Sequence, residues 1–186
     1  VTTAYGTTIN SSAGDGIDVN ASGAGDVTIV SRATIDAGEY GISANTYSGD
    51  ATVNVYAAIE AGDDGISASA GDSGGGGDVT IYTSADATID AGDDGIYVQV
   101  GSGGSEVDIV VKGAIDAGDD GIYVDIESGG ADVDIRTYAD IDADYDGIHV
   151  YNSGGYEYSL SSVVAVRTYG GIEAGDDGIY VEFVSG

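Results

Sequence analysis

Apolar and polar residues alternate in short runs along the whole chain. Runs such as Ile96-Tyr-Val-Gln-Val100 and Val107-Asp-Ile109 place Val or Ile at every second position. This alternation puts the apolar side chains on one face of a β-strand. Val and Ile occupy most of these positions and favour strands because they are β-branched, whereas Leu occurs only once. The pattern predicts an all-β protein.

A block close to Ile-Asp-Ala-Gly-Asp-Asp-Gly-Ile recurs and divides the chain into repeats. The seven blocks span residues 9-17, 35-42, 59-66, 89-96, 115-122, 141-148 and 172-179. The Gly-Ile pairs that close them are 25, 24, 30, 26, 26 and 31 residues apart. A repeat of this length is typical of one coil of a solenoid.

Each repeat contains three alternating segments. The first follows the Gly-Ile pair, the second is a segment such as Val27-Thr-Ile29 or Val53-Asn-Val55, and the third is the Ile-Asp-Ala piece. None of these one-sided strands can bury its apolar face alone. Stacked about 4.8 Å apart, they enclose columns of Val and Ile. We predict a single domain over residues 1-186, a parallel β-helix (β-solenoid) of about seven coils with three short strands per coil.

Composition excludes several classes of protein. The chain has 33 acidic residues against four basic ones and a formal net charge of −29. This charge repels phosphate backbones, so we expect no nucleic-acid partner. The absence of Cys excludes disulfides and thiolate metal sites. No apolar run approaches the roughly 18 residues of a transmembrane helix, so we expect no membrane insertion.

Stacking the repeats gathers the acidic residues into columns. Unit charges about 4.8 Å apart repel by roughly 0.9 kcal/mol even in water. The basic residues fall between the second and third strands and are too few to neutralise the columns; they are Arg32, Lys112, Arg136 and Arg167. One acidic column precedes the second strand and comprises Asp26, Asp78, Glu106 and Asp132.

Ca²⁺ is the expected counter-ion at the Ala-Gly-Asp-Asp-Gly corner. It accepts about six to eight oxygens in loose geometry, and this corner offers carboxylates and backbone carbonyls. The candidate ligands are Asp63, Asp64, Asp93, Asp94, Asp119, Asp120, Asp144, Asp146, Asp176 and Asp177. The alternative is a solvated acidic face whose repulsion is screened by salt.

The two ends of the chain lie at complementary points of the repeat, so that the end of one copy could be followed by the start of another. Residues 1–9 align without a gap with residues 27–35, and residues 178–186 form a first strand and the start of its loop. Unpaired coil ends are templates for further strand pairing, so copies stacked head to tail would form a fibre. The candidate residues for this contact are Val1, Thr2, Thr3, Ile9, Ile179, Val181 and Phe183. The alternatives are a fragment of a longer solenoid and a separate cap or partner.

Two aromatic features complete the candidate surfaces. Tyr97, Tyr123, His149 and Tyr180 share one outward position after the Gly-Ile pair, which predicts a ladder of stacked rings. The longest insertion, residues 151–163, carries Tyr156, Tyr158 and Leu160. These side chains either make a lateral or ligand contact or fold against the side of the solenoid.

No catalytic constellation interrupts the repeats. Carboxylates are abundant, but no coil departs from the pattern to bring unusual groups together, and His149 occupies a position in the ring ladder. The sequence contains neither a Gly-x-Ser-x-Gly elbow nor a Gly-Lys-Ser/Thr phosphate loop. We therefore expect that the protein is not an enzyme, with a polysaccharide-acting β-helix enzyme as the less favoured class.

The phrases Gly-Asp-Val-Thr-Ile and Ile-Asp-Ala-Gly-Asp-Asp-Gly-Ile-Tyr-Val carry a resemblance. They resemble the repeats of parallel β-helix passenger regions in bacterial autotransporters and filamentous-haemagglutinin-like adhesins, over essentially the whole chain. The resemblance implies secretion and display at the cell surface. The outward tyrosine column offers a contact surface for a glycan or a neighbouring fibre, and a surface receptor is a further candidate partner. We expect an extracellular filament subunit that stacks on itself and is stabilised by Ca²⁺; the alternative is the shaft of a surface adhesin.

Overall fold

The computed structural model describes residues 1–71, 76–101, 105–127, 130–153 and 162–184. These residues form twenty strands, numbered β1 to β20 in chain order. The strands build three parallel sheets, and successive strands along the chain go to successive sheets. This arrangement confirms the predicted β-solenoid with three strands per coil. Among the same residues there is no helix that could span a membrane.

The sheets are named by the position of their strands in the repeat. Sheet 1 holds the strands that follow the Gly-Ile pair: β2 (Ile17–Ala21), β5 (Ile42–Thr46), β8 (Ile66–Ala70), β11 (Ile96–Val100), β14 (Ile122–Ile126), β17 (Ile148–Asn152) and β20 (Ile179–Phe183). Sheet 2 holds β3 (Val27–Ser31), β6 (Ala51–Val55), β9 (Val79–Thr83), β12 (Ser105–Val111), β15 (Ala131–Thr137) and β18 (Val164–Thr168). Sheet 3 holds β1 (Thr8–Ser11), β4 (Thr34–Ala37), β7 (Ile59–Ala61), β10 (Ile89–Ala91), β13 (Ile115–Ala117), β16 (Ile141–Ala143) and β19 (Ile172–Ala174).

The core lies between the three sheets as columns of identical or similar side chains. In sheet 1, Ile96, Ile122 and Ile148 pair in register and are fully buried. Alternate residues of the same strands, such as Tyr97 and Tyr123, point outward. The period-two pattern therefore decides which side chains enter the core, as the alternation predicted.

One register differs from the alignment of the repeats. In the second coil, Ala51 pairs with Val27 and Val53 pairs with Ile29. Matching Val53-Asn-Val55 to Val27-Thr-Ile29 was therefore wrong by two residues. Because side-chain direction alternates with a period of two, a shift of two residues leaves the same side chains facing the core. Because Ala51 replaces the usual Val at the start of β6, the alternation alone did not locate this start.

The first residues of the chain also depart from the gapless alignment. Ile9 pairs with Ile35 as expected, but Thr2 makes an isolated bridge with Val30 instead of pairing with Thr28. Sheet 2 accordingly has six strands among the described residues, whereas the other two sheets have seven.

The glycine before each strand of sheet 1 allows the coils to approach closely. A Cβ atom on Gly95 would lie 2.6 Å from the carbonyl oxygen of Gly121 and would also clash with Cγ2 of Ile115. In the last described coil, a Cβ on Gly178 would meet only Cγ2 of Ile172, at an ordinary 3.9 Å. Within the described residues, the steric requirement for glycine thus depends on a following coil.

This difference predicts that Gly95→Ala destabilises the protein by about 1–3 kcal/mol, the usual cost of overpacking. Gly178→Ala in the same column should leave the stability of the dilute monomer unchanged within about 0.5 kcal/mol. Urea denaturation followed by circular dichroism compares the two variants with the parent. Equal midpoints for both variants would contradict the steric account.

Candidate metal-binding corner

The corner between sheets 3 and 1 separates the paired acids into two columns. The inner column lies directly before the corner glycine and comprises Asp15, Tyr40, Asp64, Asp94, Asp120, Asp146 and Asp177. The outer column lies one residue earlier and comprises Gly14, Glu39, Asp63, Asp93, Asp119, Tyr145 and Asp176. Asp64, Asp94, Asp120 and Asp146 are between 3% and 8% exposed, while Asp93 and Asp119 are exposed. The sequence predicted the acids but not the burial of one in each pair.

The inner carboxylates form a hydrogen-bonded ladder with the backbone of the following coil. The N–H groups of Asp120 and Asp146 donate to Oδ1 of Asp94 and Asp120 at 3.0 and 2.9 Å. The N–H of Asp177 donates to Oδ1 of Asp146 at 2.8 Å. Each of these acids therefore satisfies a backbone donor at the turn, which explains how it tolerates burial.

The backbone carbonyls of this column are also engaged. The carbonyl oxygens of Asp94, Asp120 and Asp146 accept hydrogen bonds from Gly65, Gly95 and Gly121 at 2.9 Å each. The sequence-based expectation counted such carbonyls among the calcium ligands. Because they accept bonds between coils, the main oxygen donors available to a cation here are the carboxylates.

Burial changes the protonation of the inner column. It raises the pKa of Asp64 to about 6, with the charge of Asp93 adding to the effect and the bond from the Asp94 N–H opposing it. Burial also raises the pKa of Asp94 to about 8. The hydrogen bond from the Asp120 N–H lowers this pKa, and the charges of Asp64 and Asp120 raise it further. Asp94 therefore holds a proton at neutral pH, and this relieves part of the repulsion along the column.

Two groups of described residues bring ligand atoms close enough for one cation. In the first group, carboxylate oxygens of Asp93, Asp94 and Asp119 lie within 4.8 Å of one another. These are three of the predicted calcium ligands, and two of them are exposed, so water can complete the coordination. Such hard oxygen donors fit a partly hydrated Ca²⁺ ion.

The second group consists of Asp120, Asp146 and His149, again with ligand atoms within 4.8 Å. Nδ1 of His149 lies 3.2 Å from Oδ2 of Asp120 and 3.6 Å from Oδ2 of Asp146. Sequence reasoning selected both acids but treated His149 only as a member of the ring ladder. The three-residue spacing between Asp146 and His149 was the available signal.

The other predicted ligands lie outside these two groups. Asp63 belongs to the outer column and Asp64 to the inner column of the third coil, and Asp176 and Asp177 take the same two positions in the last described coil. Asp144 differs, because its N–H donates to the carbonyl of Ala117, as the N–H of Gly118 does to Ala91. It therefore occupies the position of the glycine that directly follows the sheet 3 strand in other coils, and it does not form a pair with Asp146.

The acidic column before sheet 2 uses the same type of hydrogen bond. The N–H of Asp50 donates to Oδ1 of Asp26 at 3.1 Å, that of Asp78 to Asp50 at 3.0 Å, and that of Glu106 to Asp78 at 2.8 Å. Asp50 belongs to this column but escaped the sequence alignment because of the shifted register of β6. Val163 donates in the same way to Asp132, at 3.1 Å.

Two of the three arginines, Arg136 and Arg167, lie on sheet 2, away from the candidate corner. Arg136 and Arg167 belong to β15 and β18 themselves, which corrects their predicted position after the second strand. Arg136 bridges Asp108 and Asp134 at 2.9 and 3.1 Å, and Arg167 contacts Asp134 at 2.6 Å. These pairs neutralise acids on sheet 2. Among the described residues, neither Arg nor Lys forms an ion pair with the acids of the two corner columns.

The ring ladder is present on sheet 1. Ring centroids are 5.6 Å apart for Tyr97 and Tyr123, 4.8 Å for Tyr123 and His149, and 4.9 Å for His149 and Tyr180. The predicted column of rings is present, but the planes of neighbouring rings are tilted by 52°, 30° and 50° and are not stacked face to face. The lateral-contact candidates Tyr156, Tyr158 and Leu160 lie outside the described residues.

The candidate assembly residues occupy the two terminal coils. Ile179, Val181 and Phe183 are 46%, 37% and 56% exposed, although the equivalent Ile148 and Val150 are fully buried. At the other end, the amino group of Val1 donates to the carbonyl of Thr28 at 2.6 Å. There the N–H of Thr3 donates to the carbonyl of Val30 at 3.0 Å, Thr2 bridges Val30, and Ile9 is partly buried.

Comparison of the chain with protein-family models, curated proteins and solved structures finds no match.

The raised pKa values predict that acidification stabilises the metal-free protein. The pKa values of Asp64 and Asp94 in the folded state lie above the usual 3.8, so the folded state binds more protons than the unfolded state between about pH 4 and pH 8. Stability is therefore lost as the pH rises through this window. Thermal melts in chelator should show a higher Tm at pH 5 than at pH 8.

Asp94→Asn should reduce this pH dependence, since the amide stays neutral throughout. Asp90→Asn is the matched control, because Asp90 is an exposed acid in the same coil. A Tm difference between pH 5 and pH 8 that is the same in D94N, D90N and the parent would contradict the assignment to the buried column.

Proposed function

We propose that the protein is a structural subunit that stacks head to tail into an extracellular filament, stabilised by Ca²⁺ along the acidic corner. The observation that carries this proposal is the exposure of core positions in the last described coil. Ile179, Val181 and Phe183 present apolar surface and an open strand edge in β20. Such an edge favours pairing with another strand.

The strands presented by the first and last coils support a second copy of the chain as the partner. The last coil presents β18, β19 and β20, one strand in each sheet. The first coil presents β2 in sheet 1, β1 in sheet 3, and the bridge at Thr2 in sheet 2. Stacking copies therefore continues all three sheets, and a head-to-tail contact that does not close produces a fibre.

The corner glycine column gives this contact a steric requirement. Within the chain, each corner glycine packs against the glycine and the sheet 3 isoleucine of the following coil, as Gly95 does against Gly121 and Ile115. By continuity of the repeat, Gly178 packs against Gly16 and Ile9 of the next copy. Assembly therefore places Gly178 in the close contact that it lacks in the monomer.

Calcium supports the same assembly by reducing repulsion along the filament. The carboxylates of Asp93, Asp94 and Asp119 join two consecutive coils, so one ion among them links those coils. A cation also favours the ionised form of Asp94, whose pKa is raised by burial. Calcium and protons therefore compete for the corner.

The shaft of a bacterial surface adhesin is the alternative proposal. It rests on the resemblance of the repeat phrases to autotransporter and haemagglutinin-like passengers. A shaft is a discrete rod, whereas a filament subunit gives fibres of uniform width and variable length. The polysaccharide-acting enzyme remains the least favoured class, because the carboxylates that converge at the corner repeat from coil to coil.

Negative-stain microscopy of concentrated protein with Ca²⁺ tests the filament directly. We expect long fibres from the parent protein and short rods from Gly178→Ala, because the added methyl group blocks the stacking contact without touching the monomer core. Thr80→Ser is the control and should keep the fibres, since Thr80 is exposed in β9, in an interior coil away from both ends. Discrete rods from the parent at all concentrations would refute the filament and favour the shaft.

Calcium should raise the Tm of the monomer, and the increase should be larger at pH 8 than at pH 5, because Asp94 must release its proton to bind the ion. The double variant Asp93→Asn/Asp119→Asn should lose most of this increase. Asp90→Asn/Asp116→Asn removes two exposed acids from sheet 3 of the same coils and should retain it. An equal calcium effect in both double variants would show that the ion acts only by general screening.

A further inference from the structure

His149 differs from the other members of its column in carrying a metal-ligating nitrogen. It is the single histidine of the chain and stands where neighbouring coils have Tyr123 and Tyr180. The rings on either side hold it at centroid distances of 4.8 and 4.9 Å. Its side chain is 17% exposed and its Nε2 atom is buried, so the ring is largely fixed.

The ring directs Nδ1 at two buried carboxylates. Nδ1 lies 3.2 Å from Oδ2 of Asp120 and 3.6 Å from Oδ2 of Asp146, whose side chains are 7% and 4% exposed. In a tetrahedral site with bonds of about 2.0–2.1 Å, ligand atoms lie about 3.3 Å apart. The observed separations therefore match those of ligands around a transition-metal ion.

The hydrogen-bonded ladder orients both carboxylates toward the histidine. Oδ1 of Asp120 accepts the N–H of Asp146, and Oδ1 of Asp146 accepts the N–H of Asp177. In each acid, it is therefore the other oxygen, Oδ2, that faces His149. Bonds of this kind, which fix the orientation of a ligand, are typical of the surroundings of protein metal centres.

We propose that Asp120, Asp146 and His149 form a binding site for a divalent transition-metal ion, with Zn²⁺ as the representative. One imidazole and two carboxylates suit Zn²⁺, Mn²⁺ or Co²⁺ with water in the remaining positions. Ca²⁺ prefers a larger set of oxygen ligands and binds imidazole poorly. The site therefore differs in metal preference from the all-carboxylate group of Asp93, Asp94 and Asp119, and it does not depend on filament formation.

The single histidine makes the test specific, because only one imidazole contributes to the NMR spectrum. Titrating the full chain with Zn²⁺ should shift the ring signals of His149 and saturate at one equivalent. Ca²⁺ at the same concentrations should leave these signals in place. Unmoved ring signals with Zn²⁺, or the same shifts with Ca²⁺, would overturn the proposal and leave His149 as a ladder residue that hydrogen-bonds to Asp120.

Two variants measure the contribution of the ligands. His149→Gln keeps both carboxylates and the ladder, and equilibrium dialysis should show Zn²⁺ affinity reduced by at least about tenfold. Asp93→Asn/Asp119→Asn alters the neighbouring acidic group and should keep the tight equivalent. If H149Q keeps the tight Zn²⁺ equivalent, or if only the D93N/D119N control loses it, the ion binds to surface carboxylates and the proposed site is refuted.

The repeat also allows the site to be moved by one coil. In a His149→Tyr background, Tyr123→His places an imidazole beside Asp94 and Asp120, the equivalents of Asp120 and Asp146 in the preceding coil. We expect H149Y to lose the tight Zn²⁺ equivalent and the double variant to regain it, with shifts of the new ring signals. A folded double variant that fails to regain it would contradict the claim that ring and ladder geometry create the site.

Discussion

The structure depends on one constraint: each coil stacks on the next in register, about 4.8 Å away. Each side chain therefore lies between the side chains at the equivalent positions of the two neighbouring coils. For Ile96, Ile122 and Ile148 the repetition produces a continuous apolar core. For Gly95 and Gly121 it permits an approach that a Cβ atom would prevent. For the acids it places carboxylates of consecutive coils next to one another, as in Asp93 and Asp119, which is the least favourable consequence of the same geometry.

The inner column offsets this repulsion without basic residues. Asp94 and Asp120 each accept a backbone N–H of the following coil, and burial raises the pKa of Asp94 so that it holds a proton at neutral pH. The acid is thus both a structural acceptor and a site that a cation can occupy when the proton leaves. This exchange links the stability of the coil, the proposed calcium binding and the proposed filament.

New chemistry arises in this protein where one member of a column changes. Tyr40 and Tyr145 interrupt the two corner columns, and Asp144 occupies a glycine position. His149 replaces a tyrosine and so introduces a nitrogen ligand beside two oriented carboxylates. Because the surrounding coils supply the same backbone, this one exchange of Tyr for His is sufficient to bring a nitrogen atom within 3.6 Å of two buried carboxylates.

The sequence by itself determined the strands, the three-sheet coil, the core columns and the ring ladder, because these follow from a local period of two and a repeat of about 26 residues. It did not determine the register of β6, since a shift of two residues preserves the alternation and Ala51 conceals the start. Nor did it separate the buried Asp94 from the exposed Asp93, or bring His149 to Asp120 of the preceding coil. Only the tertiary structure decided these features, because burial and contacts between coils depend on how the corner folds in three dimensions.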